Sequence, residues 1–103
     1  MKKNSTLLTK EEIIKIIKSE KNFLSEKYFV SEIGLFGSYV RNEQKVKSDI
    51  DILISFAKSP DFFVFLELED YLSDLFGIKV DLVTKNSLKP IIGSYIKKEV
   101  EYI

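Results

Sequence analysis

Acidic and apolar side chains alternate along Ser48-Asp49-Ile50-Asp51-Ile52-Leu53-Ile54, and that period of two confines the segment to a β-strand. Ile50, Ile52 and Ile54 then share one face, while Asp49 and Asp51 share the other, roughly 6.5 Å apart along the backbone. The isoleucine face demands a cover of helices, because apolar area is stabilised only when removed from water. The acidic face demands the opposite. Aspartate is depleted in strands, and two carboxylates this close repel unless a cation lies between them. The segment therefore predicts an α/β (α+β) layer: a small mixed sheet, covered by helices on one face and open, with carboxylates, on the other.

The rest of the composition narrows the cation. The chain of 103 residues suits a single domain, 1–103, and has neither histidine nor cysteine. Zinc ligands and the commonest general base are thereby missing, so a metal must be held by oxygen, which favours magnesium, with manganese as the alternative. The 16 basic and 16 acidic residues cancel, which argues against electrostatic gripping of a long nucleic acid. No apolar run is long enough to cross a membrane and no signal-peptide pattern appears, so a cytoplasmic location is expected.

Local signals order the remaining elements. Thr9 with Glu12 forms a capping box ahead of Ile13, Ile17 and Leu24, predicting a helix over about 9–27. Val30–Phe36 reads as a strand ended by Gly37-Ser38. The polar stretch 39–48 begins as a helical turn and ends as a loop. Ser59-Pro60-Asp61 starts a helix over about 61–76 that stops at Gly77. Its apolar set, Phe62, Phe65, Leu66, Leu68, Leu72, Leu75 and Phe76, is read as core. A third strand runs over 78–83, and a final helix begins near Pro90, with Ile91, Tyr95 and Val100 facing inward.

Three further positions carry chemistry. Glycine at 37 allows close backbone approach to a phosphate, and a helix starting there would aim N–H groups at it, with the Ser38 hydroxyl as another donor. Arg41 lies one helical turn beyond and is in reach of the same anion. Asp81 alternates with Val80 and Leu82, so it projects to the opposite face of its strand. Three carboxylates on adjacent strands suit a pair of magnesium ions, one activating a hydroxyl and the other binding a triphosphate. The expected chemistry is transfer of a nucleotidyl group.

Gly34-Leu35-Phe36-Gly37-Ser38-Tyr39-Val40-Arg41, Ser48-Asp49-Ile50-Asp51-Ile52-Leu53 and Lys79-Val80-Asp81-Leu82-Val83 together resemble the minimal nucleotidyltransferase family, within the polymerase-beta-like nucleotidyltransferases. The likeness runs from the first helix to the end. One departure is Asn42, where the family usually has glycine, and asparagine also tolerates left-handed backbone. The resemblance implies an antitoxin paired with a HEPN-domain ribonuclease toxin, in a hetero-oligomer. It implies a protein adenylyltransferase that uses ATP and magnesium to place AMP on a toxin tyrosine. Asp49, Asp51 and Asp81 would be the catalytic metal ligands, with Gly37, Ser38 and Arg41 binding the nucleotide. Two alternatives stay open: a non-catalytic antitoxin acting by occlusion, and transfer to a small-molecule hydroxyl.

Overall fold

The computed structural model describes residues 8–103 and contains four helices and one four-stranded sheet. Helix α1 (Lys10–Tyr28) begins at the expected capping box, in which the Thr9 hydroxyl accepts from the Glu12 N–H at 3.1 Å and Glu12 accepts from the Thr9 N–H at 2.8 Å. Strand β1 (Val30–Phe36) leads through Gly37 into the one-turn helix α2 (Ser38–Arg41). Strand β2 (Ile50–Phe56), helix α3 (Phe62–Phe76) and strand β3 (Val80–Thr84) form a crossover that makes β2 and β3 parallel. A 3-10 turn (Lys85–Ser87) precedes helix α4 (Pro90–Glu99) and the short strand β4 (Glu101–Tyr102).

The strand order is β3-β2-β1-β4, with β1 antiparallel to both of its neighbours. Ile50, Ile52 and Ile54 are almost fully buried beneath Ile13, Ile17 and Leu24 of α1 and Leu68 and Leu72 of α3, as the alternation predicts. Two phenols clip these helices together: Tyr28 Oη donates to Glu67 at 2.8 Å, and Tyr71 Oη donates to Glu20. Asp61 caps α3 by accepting from the Val64 N–H at 2.9 Å. Asp61→Ala should cost about 1 kcal/mol of stability, measurable as a lowered denaturant midpoint.

The C-terminal expectation needs correction. The final helix stops at Glu99, because Val100 turns extended (φ −63°, ψ 136°), and Glu101–Tyr102 pairs with Gly34 and Leu35. Ile91 and Tyr95 do not face inward; they are 76% and 73% exposed, and only Gly93 of α4 is buried. The helix packs through that glycine against Leu88 rather than over the main core. Phe62 and Leu66 are likewise exposed, so α3 turns only Leu68, Leu72 and Phe76 fully inward.

Candidate active site

Register brings two of the expected acids side by side. Asp51 and Asp81 are partners in the parallel β2–β3 pair, and Phe36 is the residue of β1 opposite Asp51. Asp49 falls just before β2, following a turn in which the Ser48 N–H donates to the Lys45 carbonyl at 2.9 Å. Its carboxylate lies 3.9 Å from Lys79 Nζ. Among the described residues, no three acids close on a point as a ready-made metal cage would. What Asp49, Asp51 and Asp81 share is an electrostatic field.

That field is centred on Asp51. Burial first, and then the charges of Asp81, Asp49 and Glu99, push its carboxyl up to about 6, against a partial relief from Arg41. A carboxyl whose ionisation is made harder by burial and by neighbouring acids is one whose charged form a divalent cation would favour. The donors are hard oxygens, so the residues present fit magnesium or manganese.

Gly37 explains why Asp51 can sit where it does. Its backbone is left-handed (φ 81°), and a Cβ built there would lie 2.0 Å from Asp51 Oδ2. The turn and the carboxylate occupy one another's space, which only glycine permits. Ser38 opens α2 and is half-exposed. Asn42 ends that helix with φ 62°, the left-handed geometry expected where the family has glycine. Beyond the acids the same face closes: Leu53 and Phe36 are buried, and Val100 Cγ2 approaches to 2.6 Å of where Gly34 would carry a Cβ.

Arg41 reaches an anion, but a protein one. Its guanidinium donates from Nη1 to Glu99 Oε1, and from Nε to Glu43 Oε1 at 2.9 Å. The Gly37 N–H donates to the other oxygen of Glu99, at 2.7 Å. Sequence reasoning missed Glu99, which is 62 residues from Gly37. A signal existed: the acid closes α4 directly after Lys97 and Lys98, where the helix dipole disfavours negative charge. An acid so placed calls for donors from elsewhere in the fold.

The sequence profile of the nucleotidyltransferase domain matches residues 7–103. This chain belongs to the nucleotidyltransferase domain family, in its minimal branch. A relative from Methanocaldococcus jannaschii, provisionally named a protein adenylyltransferase, is 57% identical over 93 residues, covering 90% of this chain and 92% of its own length. The protein adenylyltransferase MntA of Thermococcus cleftensis is 50% identical over 97 residues, covering 94% and 98%. Among solved structures, a toxin–antitoxin with AMP-PNP superposes with a TM-score of 0.69 at 27% identity, covering 92% of this chain and 72% of that one. A solved structure provisionally described as a minimal nucleotidyltransferase superposes with a TM-score of 0.76 at 23% identity, covering 94% of this chain and 98% of that one, so the fold expected from the motifs is this chain's fold.

Proposed function

We propose that this chain transfers AMP from ATP to a tyrosine hydroxyl of a HEPN-domain ribonuclease toxin and thereby acts as its antitoxin. The observation that carries this reading is Asp51 paired with Asp81 and packed against the Gly37 turn, in a chain half identical to a protein adenylyltransferase along nearly its whole length. The toxin is the partner of choice because similar solved structures are toxin–antitoxin complexes, including a tri-AMPylated Shewanella oneidensis HEPN toxin with its MNT antitoxin.

Magnesium ions bound by Asp49, Asp51 and Asp81 would supply Lewis-acid stabilisation of the phosphates and ease loss of the hydroxyl proton. Asp81, exposed and paired with Asp51 across the strands, would take that proton as the tyrosine oxygen bonds to the α-phosphorus. The bond from the α-phosphorus to the bridging oxygen breaks, and pyrophosphate leaves. Gly37, Ser38 and Arg41 would orient the triphosphate for this in-line displacement.

The test uses the purified chain, its cognate toxin, magnesium and ATP labelled at the α-phosphate. Label should appear on a toxin tyrosine, and Asp49→Ala or Asp81→Ala should reduce its rate by more than about 100-fold while the fold persists. A complex that forms without any labelling would overturn the reading. Should Asp49→Ala still protect cells fully from the toxin, occlusion would be the operative mechanism.

A further inference from the structure

The donors assigned to the nucleotide are already in use. Glu99 takes the Gly37 N–H on Oε2, at 2.7 Å, and the Arg41 guanidinium on Oε1. A single carboxylate thus bridges the start of the α2 turn and the arginine at its end, as an anionic group of a bound ligand would. Arg41 is also bonded to Glu43, so its charge is answered twice within the chain.

We infer that Glu99 is a built-in competitor for the triphosphate, an internal anion that holds the Gly37–Arg41 donors and sets the nucleotide affinity by having to be displaced from them. This rests on the reading of Gly37 and Arg41 as nucleotide-binding residues.

Like would replace like in that exchange. A phosphate oxygen and a carboxylate oxygen compete for the same N–H groups, and both cannot accept fully from Gly37, which has one backbone hydrogen to give. Glu99 is well suited to yield. It is the last residue of α4, and the segment after it is tied separately, by the Ile103 N–H donating to the Ile33 carbonyl at 2.9 Å. A side-chain rotation of Glu99 would release both donors without unpairing β4. The displaced carboxylate would also leave the neighbourhood of Asp51, reducing the negative charge that a nucleotide must approach.

The alternative role for Glu99 is a fixed clamp that shapes the turn for the ligand, and it predicts the opposite sign. Binding of inorganic tripolyphosphate without metal, and of AMP-PNP with magnesium, is measured by calorimetry on the wild type, Glu99→Gln, Glu99→Ala and the double variant Glu99→Ala/Arg41→Ala. Thermal melts confirm that each variant is folded. Both single variants should bind both probes about tenfold more tightly, because a charged competitor for charge-assisted donors has been removed. Adding Arg41→Ala should abolish the gain. Glu99→Gln keeps the size of the side chain and guards against a collapse of the turn in Glu99→Ala.

Unchanged or weaker binding in both folded single variants, with the wild type still binding AMP-PNP, would overturn this inference and leave the proposed reaction standing. Failure of every protein to bind AMP-PNP would overturn both. No toxin and no turnover enter the measurement.

Discussion

Asp51→Asn should abolish nucleotidyl transfer and, at neutral pH, make the folded chain more stable. The first effect follows, under the proposed mechanism, from loss of the carboxylate that would hold the metal, and should exceed about 100-fold in rate. The second follows from the carboxyl being pushed up from 3.8 to about 6 in the folded state. Well below its unfolded value the group is protonated in both states, so it adds no pH-dependent term. Between about pH 4 and 6 the folded state holds the proton more tightly than the unfolded state does, so stability falls as pH rises. Above about pH 6 the penalty is complete. The displacement corresponds to about 3 kcal/mol undamped, and to about 1–2 kcal/mol once solvent screening of a half-buried side chain is allowed for.

Urea titrations between about pH 4 and 8 check this directly. The wild-type curve should carry a downward slope across the lower half of that range that Asp51→Asn lacks. Magnesium should raise the wild-type melting temperature at neutral pH and leave the variant's unmoved, since a cation that binds only the folded state stabilises it. An Asp51→Asn protein that is less stable than wild type at neutral pH, or that still transfers AMP, would contradict the assignment.

Gly37→Ala is the second large effect, and it acts through the same carboxylate. The backbone of Gly37 (φ 81°, ψ −156°) lies in a region essentially reserved for glycine, costing another residue about 1–3 kcal/mol, and here the new Cβ would also stand 2.0 Å from Asp51 Oδ2. The total loss of stability should be about 2–4 kcal/mol, with transfer falling to background as Asp51 is pushed from its place. A double-mutant cycle separates the two contributions. Combined with Asp51→Ala, Gly37→Ala should cost less than it does alone, because the carboxyl atoms at 2.0 and 2.9 Å are gone and what remains is the backbone term and the Cβ of residue 51 at 3.1 Å. Strict additivity would mean that the contact is not what makes glycine necessary there.

Sequence alone determined the features set by the nearest neighbours along the chain. The period of two in 49–54 defined the buried isoleucine face, the Thr9–Glu12 capping box started α1, and Asp61 and Gly77 bounded α3. Asn42 could be expected to turn left-handed because its short polar side chain tolerates that geometry. These are local rules, set by alternation, caps and backbone sterics, so they are written within a few residues of where they act.

Tertiary structure decided what depends on register and on chain ends meeting. Which residue lies opposite Asp51 is a property of the β2–β3 pairing, and no periodicity in either strand specifies it. The strand Glu101–Tyr102 is too short to show a pattern of its own; it exists because the edge of β1 offers unpaired backbone groups. Glu99 arrives beside Gly37 by the same route, as the end of α4 is drawn to that edge. A side chain separated from its partner by most of the fold is placed by packing and pairing, whose energies no local window of sequence contains.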